Sequence, residues 1–343
     1  MTSSALQVGV LAFIGVGVTL YLVLGGADFG GGMWDLLAFG PSRDRQRVLV
    51  ADAIGPVWEV NHVWLIFILA GLLAAFPQAM AAIGVGLYLP LLLAGVGIIF
   101  RGSGFAFSHA GPGSWQRAWA RTFGIASLVT PFFLGAAGAA VATGKIRVRD
   151  GQVHAGVVSA WTSPLSIVSG LLVVAMCSYL AASYLIVEAA QRGDHDLAEA
   201  FRARALVTAV VAGALAALGL AAIRADAPLL WQGMLHRGFP AIGLSAAAGL
   251  GSLVALWGRR YLVARATAAL AVAAVVLGFG ASLWPYLVIP DVSVQGAASP
   301  ASTLRAVFFG YVVGGLVLGP AFWLLFRVFK SGRAQPTPFG PAP

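Results

Sequence analysis

The stretch Gly25-GGADFGGGMWDLLAFG-Gly40, followed after a short basic segment by Asp52-DAIGPVWEVNHVW-Trp64, decides how the chain is read. It is a polar island in an otherwise apolar chain. Asp28, Asp35, Asp52 and Glu59 sit in it together with Asn61 and His62. Asp28, Glu59 and His62 fall inside or at the rim of runs too apolar to be anything but membrane spans. An ionisable group in a span costs free energy to keep, so it is a functional candidate by default.

Outward from the island the chain is membrane. Of 343 residues, 59% are apolar and only 10% charged, and the mean hydropathy is +0.89. A soluble domain is nearer a quarter charged, so composition indicates an all-α polytopic membrane protein. The net charge of +9 does not point to nucleic acid. The basic residues stand in twos and threes between apolar runs, as in cytoplasmic loops. A single cysteine, Cys177, excludes a disulfide framework. The first apolar run has no basic residue before it and no small-residue cleavage site after it, so it reads as a retained span.

About twenty apolar residues cross a bilayer. That rule predicts about nine spans, at roughly 6–27, 55–76, 79–100, 122–143, 164–188, 205–223, 239–257, 262–285 and 304–328. They form one integral membrane domain over 1–330, with a disordered tail over 331–343, rich in Pro and Gly. The first span is expected to continue as helix toward Phe39. A faint echo between Tyr21–Leu24 and Tyr184–Val187 suggests two four-helix bundles plus one additional helix. Fifteen of the 21 Lys and Arg residues, Arg101 among them, fall on one side of this topology and six on the other. The positive-inside rule then places the N-terminus outside and the C-terminus in the cytoplasm. On the outer side, alternating residues around Asp150-Gly151 predict a small hairpin with a primed turn. The charged segment 189–204 is expected to extend its flanking helices.

In this topology the first span leaves, and the second enters, on the cytoplasmic side. Helices joined by a short connection are antiparallel neighbours, so Asp28, Glu59 and His62 should meet in one helix pair. Asp35 and Asp52 would sit at its mouth. Such a row leads from the cytoplasm into the membrane through groups that can each hold a proton. Each also has a structural alternative. Pro56 suits the first position of a helix, where Glu59 would then favour the dipole, and Asp52 could pair with loop arginines. The glycines, Gly30 and Gly32 included, suit close helix packing better than a nucleotide loop, because no strand precedes them. Trp58 and Trp64 suit interfacial or core aromatic positions. Of the five histidines only His62 lies within a predicted span. With Met33, Met80 and Met176 scattered, the chain is a poor haem carrier.

The order and spacing of these residues resemble subunit II of the cytochrome bd-type quinol oxidases. The resemblance rests on Gly-x-Asp-Phe-Gly-x-Gly at Gly26–Gly32 and Ile-Gly-Pro-Val-Trp-Glu-x-Asn-x-Val-Trp-Leu at Ile54–Leu65. It continues through Ala74–Pro77, Tyr88–Pro90 and Arg101, and more loosely through Trp-Pro-Tyr at Trp284–Tyr286. It implies a haem-free subunit that supports a haem-bearing subunit I holding b-type and d-type haems. The complex would oxidise quinol and reduce O2 in the bacterial cytoplasmic (inner) membrane. Asp28 matches the acid of the family's first-span motif, and Glu59 the acid after tryptophan on its proton route. Gly30, Gly32, Pro56, Trp58, Asn61, Trp64 and Arg101 match motif and packing positions. Gly25 and Ala106 stand where relatives carry acids, and His62 replaces a usual Glu or Gln. These departures make it a divergent member in which His62 could serve as a titratable station. Whether a structural quinone sits in this chain is left open. The alternatives are a proton-coupled secondary transporter and a scaffolding relative without a proton path.

Overall fold

A computed structural model describes residues 2–54, 58–108 and 113–330, with backbone alone for residues 54, 58, 59, 322, 325, 326 and 328–330. The expected disordered tail lies outside the described residues. The chain begins as a rod of 34 residues, Ser3–Leu36. Thr2 caps it by accepting from the Ala5 amide. The rod comprises α1 (Ser3–Leu20), a π-helical turn (Tyr21–Gly25) and α2 (Gly26–Leu36). The expected continuation therefore stops at Leu36. The basic connection read from sequence as a loop is a helix, α3 (Arg43–Ile54), whose Leu49 and Val50 are buried.

Next come α4 (Trp58–Ala75), α5 (Pro77–Gly86) and α6 (Tyr88–Ser108). Here the expected span 79–100 needs correction, because it is not one helix. Phe76 leaves helical geometry (φ −136°, ψ 61°), Pro77 starts α5, and Leu87 ends it (φ −121°, ψ 24°). Proline suits the first helical position because its missing N–H is unbonded there anyway. The ten residues of α5 are too short to cross a bilayer. They bend by 118° from the preceding helix and pack Ala79 and Ala82 against a core that includes Ile146, Val288 and Val294. The third crossing is thus Tyr88–Ser108.

The rest runs as α7 (Ser114–Ala140), α8 (Pro164–Gln191), α9 (His195–Asp226) and α10 (Pro228–Gly233). A second π-turn (Met234–Gly238) leads to α11 (Phe239–Trp257), α12 (Tyr261–Leu283), α13 (Val294–Ala297) and α14 (Ala301–Lys330). The span expected at 239–257 begins earlier, in a rod of 30 residues from Pro228. Segment 189–204 does extend its flanking helices, broken only around Gly193, whose φ is +73°. Among the described residues eight helices are long and apolar enough to cross a membrane, or nine with the bent pair counted as one span.

Two hairpins close the end opposite α3. The strands β1 (Arg147–Arg149) and β2 (Gln152–His154) pair antiparallel through Asp150 and Gly151. Both turn residues have positive φ, 50° and 74°, as a type I′ turn requires. A second hairpin, β3 (Tyr286–Val288) and β4 (Val292–Ser293), was not foreseen. Asp291 clasps the two hairpins together, accepting from Arg147 Nε (2.7 Å), Arg147 Nη2 (3.1 Å) and the Val148 amide (2.9 Å).

One core lies around α8, packed against α2, α3, α9 and α12. A second joins α1, α4, α5, α14 and the hairpins. The glycine face of α2 makes the first core possible. A Cβ at Gly30 would lie 2.0 Å from the Cys177 carbonyl oxygen of α8, and one at Gly32 would lie 2.2 Å from Ser127 Oγ of α7. Close helix packing is therefore what these glycines serve. Exposed apolar side chains such as Val254, Leu316 and Trp257 cover the outward faces, as lipid contact requires.

Candidate functional site

The site grows from the π-turn. One extra residue in a helical turn disrupts the regular i→i−4 pattern, and such turns cluster at functional positions. Here the Leu24 carbonyl of the turn is met from α4 by Asn61 Nδ2 at 3.4 Å. One turn further on, α2 carries Asp28, 4% exposed. Its partner is Arg101 of α6, which is fully buried. Arg101 Nη2 donates to Asp28 Oδ1 at 2.6 Å and to the Asp28 carbonyl at 3.4 Å. Arg101 Nε donates to Ser127 Oγ of α7 at 3.0 Å, and Ser127 donates on to the Phe123 carbonyl at 2.7 Å. The guanidinium lies over Phe29 (4.7 Å) and Phe123 (5.1 Å). It is thus held by a carboxylate, a hydroxyl, a carbonyl and two ring faces, the set a desolvated arginine requires.

His62 of α4 comes from the other side of Phe29. Its ring centroid is 6.1 Å from those of Phe29 and Tyr21. Asp28 Oδ2, Arg101 Nη1, His62 Nδ1 and Tyr21 Oη have no hydrogen-bond partner among the described residues. Four buried polar atoms of acid, base and phenol therefore gather around one phenylalanine.

The structure brings together Asp28 and His62 from the expected set, with Asn61 beside them. Asp35 lies seven residues further along α2, about 10 Å away at 1.5 Å per residue, and its Oδ1 pairs with Arg47 Nε at 3.5 Å. Asp52 pairs with Arg192 at 2.8 Å, which matches its structural alternative. Trp64 packs on Phe67. Pro56 lies outside the described residues, as do the side chains of Trp58 and Glu59. Arg101 was counted with the loops, and this is corrected: it lies well inside α6 and belongs to the site. Tyr21, Ser127 and Phe123 were missed. A lone arginine in an apolar run demands an acid partner, and that signal could have joined Arg101 to Asp28 from sequence alone.

Among the described residues no group of three His, Cys, Asp or Glu could hold a metal ion. His62, half-buried, packs beside Tyr21 and Phe29, while His154 ends β2 and His195 begins α9, both exposed, and His109 lies outside the described residues. His236 does fall within the longer rod from Pro228, outside the span expected there, and its Nδ1 lies 2.8 Å from the Gln232 carbonyl oxygen.

A family model described as cytochrome bd terminal oxidase subunit II matches residues 6–329. The chain belongs to this family. It is therefore a multi-pass membrane member of an oxidoreductase family. A Bacillus subtilis protein provisionally assigned as cytochrome bd menaquinol oxidase subunit II is 24% identical over 333 residues, 92% of this chain and 93% of that protein. The cytochrome bd-I ubiquinol oxidase subunit 2 of Escherichia coli is 35% identical over 125 residues, 36% of this chain and 32% of that protein. The solved bd oxidase of Geobacillus thermodenitrificans has a chain of the same fold. Its TM-score is 0.77 at 22% identity, covering 96% of this chain and all of that one. The comparisons give no support to the secondary-transporter alternative.

Proposed function

We propose that this chain is the haem-free second subunit of a bd-type quinol:oxygen oxidoreductase in a bacterial cytoplasmic membrane. Its N-terminus lies outside and its C-terminus in the cytoplasm. It braces a haem-bearing subunit I, which holds the b-type and d-type haems and reacts with quinol and O2, and it conducts cytoplasmic protons toward the oxygen-reducing site. The observation that carries this is the buried Asp28–Arg101 pair beside His62 and Tyr21.

The path enters at Asp35 and Arg47 near the arginine-rich end and runs along α2 to Asp28 and His62. Glu59, on the first turn of α4 where the side chain is outside the described residues, belongs to it by motif. Within the cluster the two charges have different tasks. Asp28 is compensated by Arg101 and supplies a fixed dipole, whereas His62 has no fixed ionic partner and passes the proton. An imidazole can do so because its two nitrogens accept and release protons at separate positions.

The test is a pair of variants in the complete oxidase reconstituted in vesicles. His62→Gln keeps hydrogen bonding and removes the titratable ring. It should lower oxygen turnover and proton uptake together, with unchanged haem content. Full turnover and proton uptake in His62→Gln and in Asp28→Asn, both with intact haem bands, would overturn the proton path.

A further inference from the structure

Arg202 of α9, Arg259 and Arg260 between α11 and α12, and Arg265 of α12 lie at one end of these helices. Arg202 Nη1 and Arg259 Nε share one carboxylate, Glu199, both at 2.9 Å. Arg202 also donates to the Leu256 and Trp257 carbonyls. Arg265 lies over the Tyr184 ring at 5.4 Å. Among the described residues the Arg260 side chain has neither hydrogen bond nor ion pair, and it is exposed. Glu199 thus serves two of these four arginines.

Beside Arg260 runs a groove of about 430 Å³. Its walls are the last turns of α8, with Val187 and Ala190, and the first turn of α12, with Tyr261, Leu262 and Val263. The first intrahelical bond of α12 is from the Ala264 amide to the Arg260 carbonyl. The three preceding amides therefore have no acceptor in their own helix. The groove lies at the membrane boundary. Trp257, just before it, is 77% exposed, and Leu262 is 60% exposed on its wall. An exposed tryptophan next to exposed aliphatics marks headgroup level.

An apolar wall that continues into the lipid-facing surface, with an uncommitted guanidinium at its rim, has the chemistry of a phospholipid site. We propose that the groove binds one anionic phospholipid of the phosphatidylglycerol class. An acyl chain lies between α8 and α12, and the phosphodiester sits at Arg260. The unpaired Arg260 selects a net-negative headgroup, because the ammonium of a zwitterionic lipid would lie against its positive charge.

The test uses the complete complex in lipid nanodiscs made with phosphatidylglycerol, phosphatidylcholine or both. Retained lipid is counted by native mass spectrometry after detergent release. One phosphatidylglycerol should survive in preference to phosphatidylcholine. Arg260→Gln should reduce its retention about fivefold, the contribution of one arginine at an anionic surface. Leu262→Trp, which fills the groove without altering charge, should displace it as well. Equal retention of the two lipids would overturn the proposal. So would unchanged retention in both variants, or protection of the groove by the partner subunit in a lipid-free complex.

Discussion

Breaking the Asp28–Arg101 pair is the perturbation with the largest effect to be expected. The two side chains are 2% and 0% exposed with nitrogen and oxygen 2.6 Å apart. Charge centres about 4 Å apart attract by about 4 kcal/mol at an effective dielectric near 20. Asp28→Asn leaves the guanidinium with Ser127, one backbone carbonyl and two rings, but no anion. Arg101→Met leaves a carboxylate with no counter-charge. Each single change should cost about 3–5 kcal/mol, as removal of one member of a buried pair generally does. The double variant leaves no uncompensated charge, so it should lie much closer to the parent than the two losses added together. The coupling energy should be at least about 2 kcal/mol. The assay is unfolding of the purified complex by denaturing detergent in mixed micelles, for the parent, both singles and the double. Additive losses, or singles that cost less than about 1 kcal/mol, would refute the pairing as the organising contact of the site.

Three further outcomes follow from the geometry. Gly30→Ala should sharply lower the yield of folded protein, because its Cβ would lie 2.0 Å from the Cys177 carbonyl, whereas Gly84→Ala, with nothing within 4 Å, should be tolerated; fluorescence-detected size exclusion compares them. Gly71→Ala should also destabilise, its Cβ falling 1.6 Å from Tyr311 Oη, and Tyr311→Phe should restore part of the loss in the same assay. The hydrogen bond from Arg147 holds the Asp291 carboxyl below its ordinary 3.8. A depressed acid stabilises the fold above its unfolded value and loses that contribution as pH falls through the folded one. Hydrogen exchange at the Val148 amide, corrected for intrinsic rate, should therefore quicken below about pH 4, and Asp291→Asn should show the faster rate already at neutral pH. A pH-independent protection factor would contradict the clasp.

Sequence showed the spans because twenty apolar residues have few other uses, and it showed the β1–β2 hairpin because Asp150-Gly151 suits two positive φ values. The break at Phe76-Pro77 was hidden, since proline at the first turn of a helix looks the same whether that helix crosses the membrane or folds back. Leu87, which ends α5, is indistinguishable in composition from its neighbours. The helix α3 was masked by its arginines, which mark a loop in hydropathy although Leu49 and Val50 anchor it to α8. In the site, Asp28 and His62 were legible because each is costly in a span. Arg101 was misplaced because the positive-inside count treats every arginine at the end of an apolar run as loop. Tyr21 carried no charge to betray it, and its place depends on the π-turn, for which hydrophobic periodicity has no signature.

The central claim is that this chain is the haem-free half of a quinol oxidase, and one purification tests it most directly. The protein is tagged at its C-terminal tail, extracted in mild detergent and examined by a reduced-minus-oxidised optical spectrum, before and after separation of its subunits. The account predicts b-type and d-type haem bands in the complex, a second large membrane protein co-purifying, and no haem on the separated chain. A colourless preparation of this chain alone, from cells that make haem normally, would contradict it, as would haem that stays with the chain after separation.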